Sequence, residues 1–192
     1  MSNLDANTTV LIVPGLRDHV ENHWQTLLAH RLPNVRTVTP LTTEKLSCSA
    51  RVQAIAQALE QIDGPVILVA HSAGVLMTVH WAAQYERSIK GALLVAPPDL
   101  EIEWPSPYPS SETMRVHGWV PLPRTPLPFP SIVAGSSNDA LASFESVESM
   151  ARDWQATLVN LGDVGHLNPA SGYGDWPQAD AFIEQLDIQP TL

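Results

Sequence analysis

Val66-Ile67-Leu68-Val69-Ala70-His71-Ser72-Ala73-Gly74 is the stretch from which the fold is read. Its first five residues are all apolar, with no polar alternation. That suits a strand buried on both faces of a parallel sheet. The run passes directly into small residues and then into a helical pattern expected from Ala73 to Tyr85. Strand, sharp turn and helix form the setting of a nucleophile elbow, which strains the serine backbone and lifts its hydroxyl above the sheet edge. Small residues two places either side keep strand and helix from colliding, and here they are Ala70 and Gly74. The usual pattern has glycine in the first place, so Ala70 departs from it by one methyl group. The competing reading makes Ser72 an ordinary helix N-cap.

Outward from this point, short apolar runs alternate with helical patterns. Strands are expected at Thr9–Val13, Val35–Val38, Ala92–Ala96, Ser131–Gly135 and Thr157–Leu161. Helices are expected at Trp24–Leu32, Ala50–Ile62, Leu141–Trp154 and Ala179–Leu186. Asp63-Gly64-Pro65 stops the second of these helices. The alternation predicts one α/β domain over residues 1–192, with a mostly parallel six-stranded sheet and helices on both faces. Pro97–Pro130 breaks the rhythm. It carries ten of the seventeen prolines, so neither a regular helix nor a central strand is expected there. It reads equally as a functional excursion or as a rigid surface segment.

Composition narrows the function classes. The chain has 192 residues, 44% of them apolar and 16% charged, with a net charge of -10. That balance repels phosphate backbones and anionic lipid surfaces, so neither a nucleic acid nor a membrane is expected as a partner. Cys48 is the only cysteine, which leaves no internal disulfide and no thiolate metal cluster. Met1–Thr9 lacks a basic segment followed by an apolar one, and no apolar run approaches the ~18 residues of a membrane span. The expectation is a cytoplasmic protein acting on a small molecule. Nothing in the sequence argues for a homo-oligomer.

A serine hydroxyl needs a base to become a nucleophile. On this architecture the acid and then the histidine follow the serine in chain order. Of seven histidines, only His117 and His166 follow Ser72 at a useful distance. His117 lies in the proline-rich segment with no strand before it. His166 follows the last strand, and Gly165 allows the tight backbone that swings an imidazole over the elbow. Asp139 is the best-placed acid, just after the strand Ser131–Gly135; its competing role is a helix N-cap. Asp163 and Asp99 are reserves. The oxyanion hole should use the N–H of Ala73 and one from the Pro14-Gly15-Leu16 loop, with Leu16 preferred over Gly15.

Together these pieces resemble a known family, the small serine hydrolases of the retinoblastoma-binding protein nine type. The matching residues are Pro14-Gly15 with His23-Trp24, then His71-Ser72-Ala73-Gly74, Ser137-Asn138-Asp139 and Gly165-His166-Leu167-Asn168. The resemblance implies an α/β-hydrolase fold without a large lid domain. It implies a triad of Ser72, Asp139 and His166, and hydrolysis of an ester or amide. It supplies no substrate. The family's Leu-x-Cys-x-Glu pocket-protein motif is not carried over, because Leu46-Ser47-Cys48-Ser49-Ala50 ends in alanine.

His71 should pack at the base of the elbow, with Gly15, His71, Trp104 and Tyr108 forming a candidate substrate pocket. His19 and His23 read as partly exposed surface histidines within reach of substrate, and Trp24 as core. Trp104, Tyr108 and Trp119 could wall an acyl pocket, form a partner surface or simply pack. His19 and His23 are four apart with no third ligand evident, so no metal is expected, and no glycine loop suggests a cofactor. The expected activity is cleavage of a small ester, thioester or amide through an acyl-enzyme. The rivals are a non-catalytic binding module on the same scaffold and an acyltransferase.

Overall fold

A computed structural model describes residues 4–188. Among the described residues, six strands make one parallel sheet: β1 (Thr9–Val13), β2 (Val35–Thr37), β3 (Val66–His71), β4 (Gly91–Val95), β5 (Ser131–Gly135) and β6 (Thr157–Asn160). Their order across the sheet is β2-β1-β3-β4-β5-β6, every neighbouring pair parallel. The order reverses between β1 and β3. Such a switch point leaves a crevice at the carboxyl ends of the two strands, where Pro14-Gly15 and Ser72 lie.

The unbroken apolar runs cover both faces of the sheet. Val66, Leu68 and Ala70 enter one core cluster, and Ile67 and Val69 enter the other. The first cluster packs under α2 (Cys48–Glu60), α3 (Ala73–Ala82) and α5 (Phe144–Asp153). The second packs under α1 (Trp24–Arg31) and α6 (Gln178–Asp187). Trp24 is completely buried there, as its place on the apolar helix face predicts.

The starts of α2 and α5 follow hydroxyl caps rather than apolar periodicity. α2 starts at Cys48, before the expected Ala50, because Ser47 Oγ accepts the Ala50 N–H. α5 starts at Phe144 rather than Leu141, because Ser143 Oγ accepts the Ser146 N–H.

The proline-rich segment corrects two expectations. It contains a regular helix, α4 (Ser111–Val116), capped by Ser110 Oγ on the Thr113 N–H. The prolines cluster on either side of a proline-free window from Ser110 to Val120, and a short helix fits inside it. Its tryptophans form no exposed partner surface either. Trp119 is fully buried and its indole N–H donates to the Leu46 carbonyl at 2.7 Å. Trp104 is also buried, donating to the Asp99 carbonyl at 2.7 Å. Among the described residues, no helix is long and apolar enough to cross a membrane.

Candidate active site

Ser72 occupies the turn between β3 and α3 with φ 57° and ψ −129°. An L-residue held there costs about 1–3 kcal/mol. Two features hold the turn. The Ser72 N–H donates to the Val95 carbonyl of β4 at 2.9 Å. Gly74 lets α3 press against β1 so closely that a Cβ there would lie 2.2 Å from the Val13 carbonyl oxygen. At the other small position, Ala70 is fully buried in the core, so its methyl is accommodated.

His166 arrives from the loop after β6. Gly165 (φ 58°) and Leu167 (φ 46°) flank it in the left-handed region, which folds the backbone tightly enough to turn the imidazole toward Ser72. Its Nε2 lies 2.8 Å from Ser72 Oγ, and its Nδ1 lies 2.7 Å from Asp139 Oδ2. An ionised carboxylate only accepts, so Nδ1 carries the proton and donates to Asp139. The bare Nε2 then accepts from the Ser72 hydroxyl. Both the His166 and Asp139 side chains are buried, which strengthens the pairing. Asp139 Oδ1 accepts the Leu141 N–H at 2.9 Å, fixing the carboxylate rotamer.

The structure therefore brings Ser72, Asp139 and His166 into one hydrogen-bonded line and leaves the reserves outside it. Asp99 accepts from Ser146 Oγ and the Glu101 N–H, and Asp163 is exposed. His117 is exposed at the end of α4.

Asn138, the neighbour of Asp139, ties the two loops together. Its Oδ1 accepts the Gly165 N–H at 2.6 Å and the Ser136 hydroxyl at 3.0 Å. The His166 N–H donates to Ser171 Oγ at 3.0 Å.

The loop after β1 rises against the nucleophile. A Cβ on Gly15 would sit 3.4 Å from Ser72 Cβ. Leu16 is held from behind by Arg51, whose guanidinium donates to the Leu16 carbonyl at 3.1 Å and to the Lys45 carbonyl at 2.8 Å. Arg51 also pairs with Asp18. Ala73 begins α3, so its N–H has no carbonyl four residues earlier within the helix. Arg51 carries no local signal of this role, because an arginine in an amphipathic helix reads as a solvated residue; here it is buried.

The pocket candidates separate. Gly15 faces Ser72 with room for little more than a Cβ between them, and the half-buried Tyr108 meets His166 edge-on with ring centroids 6.0 Å apart. Trp104 is sealed in the core with its donor already used. His71 is buried too, behind His166, with its Nε2 2.9 Å from the His166 carbonyl oxygen, so it is no pocket wall. His23 corrects another expectation. It is buried, it caps α1 by accepting the Gln25 N–H at Nδ1, and its ring lies 4.6 Å from that of His71. His19 is exposed, and with His23 and Pro14 it lines a cavity of about 230 Å³ beside the loop after β1. Among the described residues, no three His, Cys, Asp or Glu side chains are grouped to hold a metal ion.

Burial sets the charge of His23 and His71. It pulls His23 down to about 4, with His166 adding a smaller push in the same direction. It lowers His71 well below the ordinary histidine range. Below pH 6.5 the unfolded chain therefore takes up protons that the native His23 refuses. Stability should be complete above that pH and should fall as pH drops toward 4, by about 3 kcal/mol for His23 alone. Urea midpoints measured between about pH 7.5 and 4 check this. His23→Asn keeps the capping acceptor and should flatten the decline.

The model of the serine hydrolase family matches residues 10–185. The chain belongs to the serine hydrolase family. A YdeN-like hydrolase of Pectobacterium atrosepticum is similar at 29% identity, with a TM-score of 0.79, over 94% of this chain and 90% of that one. The ydeN product of Bacillus subtilis is similar at 16% identity and a TM-score of 0.72, over 95% and 100% of the two chains. Est1E of Butyrivibrio proteoclasticus shares the fold at 13% identity and a TM-score of 0.67, over 95% and 88%. No curated protein matches the sequence. The fold of this serine hydrolase is thus the α/β-hydrolase architecture expected from its sequence.

Proposed function

We propose that this serine hydrolase cleaves a small carboxylic ester, thioester or amide through a Ser72–His166–Asp139 triad and an acyl-enzyme. The observation that carries the reading is the placement of one imidazole. It reaches the hydroxyl of a strained elbow serine at 2.8 Å and a buried carboxylate at 2.7 Å. The likeness to small serine hydrolases of the retinoblastoma-binding protein nine type belongs to the same reading.

His166 Nε2 takes the Ser72 proton as Oγ attacks the acyl carbonyl. The developing oxyanion is held by the N–H groups of Ala73 and Leu16, the latter on the loop that Arg51 anchors. Asp139 accepts from Nδ1–H and stabilises the imidazolium without taking its proton. His166 then protonates the leaving group, and water releases the acyl group by the reverse transfers. The neutral state of His71 and His23 matters here. A cation on either would repel the imidazolium, and burial keeps both uncharged at neutral pH.

Rapid mixing with a short-chain p-nitrophenyl ester tests the reading. A burst of nitrophenolate that scales with enzyme concentration, followed by slower turnover, is expected when deacylation limits. Turnover no faster than that of the Ser72→Ala protein would leave the scaffold as a binding module.

A further inference from the structure

His71 takes no part in this cycle, yet it is the chain neighbour of the nucleophile and bonds to the backbone of the base. It ends β3, is buried, and has its Nε2 2.9 Å from the His166 carbonyl oxygen. A carbonyl only accepts, so Nε2 bears the proton and donates. The ring is boxed in by Trp24 at 5.9 Å in an edge contact, His23 at 4.6 Å and His166 at 5.0 Å. Its rotamer is therefore set by packing, and the direction of its N–H is set with it.

The base needs such a tie. His166 lies between two residues in the left-handed region, on a loop after a strand three places from β3 in the sheet. Its other anchors come from elsewhere. Asn138, on the loop after β5, accepts from the preceding Gly165 N–H, and Ser171, in the short turn at Pro169–Ser171, accepts from the His166 N–H. His71 links it to the strand that carries Ser72. We propose that His71 is a positioning residue whose N–H pins the backbone of His166, so that one strand end sets both the nucleophile and the base. The inference rests on the triad reading above. Displacing a reacting group by about 1 Å costs ~10²-fold in rate, which is the scale on which such a pin would act.

Three variants separate a positioning N–H from plain packing. His71→Gln can place an amide N–H where Nε2 was. His71→Met fills similar volume with no donor. His71→Asn keeps a donor one bond short, and serves if the Met protein does not fold. The Met and Asn proteins should acylate about 10²-fold more slowly with KM little changed, and Gln should recover most of the rate. The downfield proton resonance of His166 Nδ1–H should persist in Gln and shift or broaden in Met and Asn. A Met protein with parental rate and resonance would overturn the proposal, as would a Gln protein as impaired as Met. The resonance is read in resting protein, so it tests the pin independently of turnover. Absence of turnover in the parent would instead count against the triad.

Discussion

Ser72→Ala should fold like its parent and lose catalysed ester turnover by about 10⁶-fold, to the level left by binding and the oxyanion donors alone. The substitution deletes one hydroxyl from a half-buried position and leaves the elbow otherwise intact. The Val95 carbonyl still receives the residue's N–H, and Gly74 still lets α3 against β1. Stability should therefore change little while activity collapses. His166→Ala should fall by a similar factor, and the double variant should fall hardly further, because the two groups act as one unit. Matched urea denaturation and ester turnover measure both effects. An additive double variant would mean that Ser72 and His166 work separately.

Asp139→Asn should cost about 10⁴-fold in kcat, more than a lost charge alone suggests. The reason lies in the second carboxylate oxygen. Oδ1 accepts the Leu141 N–H, so an asparagine would keep its carbonyl there and turn its NH₂ toward His166 Nδ1. Nδ1 would then have to accept, which moves the imidazole proton to Nε2. In that tautomer Nε2 has no lone pair for the Ser72 proton. The fold should survive, since the side chain keeps its shape and both contacts. Turnover of the Asp139→Asn protein, with its tautomer read by ¹⁵N chemical shifts of the imidazole, checks the argument. Parental activity would pass the acid role to another residue.

Much of this site is legible in the sequence because it follows strand ends. Ser72, Asp139 and His166 come after β3, β5 and β6; β3 and β5 announce themselves as apolar runs closed by small or polar residues, and β6 by the shorter Leu158-Val159 pair. The loop proposed to hold the oxyanion is legible for the same reason, since Pro14-Gly15 follows β1. What escapes is decided by side-chain geometry across the fold. α4 hides between prolines whose number obscures their spacing. His23 reads as a surface residue because its type is usually exposed, whereas it is buried against His71, and nothing local marks Arg51, which is buried against the Leu16 carbonyl. The tie from His71 to His166 joins residues 95 positions apart, and local pattern has no way to reveal it.

On the proposed mechanism Ser72 is activated by its neighbours and not merely placed at a turn. Fluorophosphonate labelling tests it most directly, because the probe requires an activated serine and an oxyanion hole but no knowledge of the substrate. Incubation of the folded protein followed by peptide mass spectrometry should find the phosphonyl adduct on Ser72, and His166→Ala should abolish it. A folded protein that takes up no label, or takes it up equally without His166, would contradict the account.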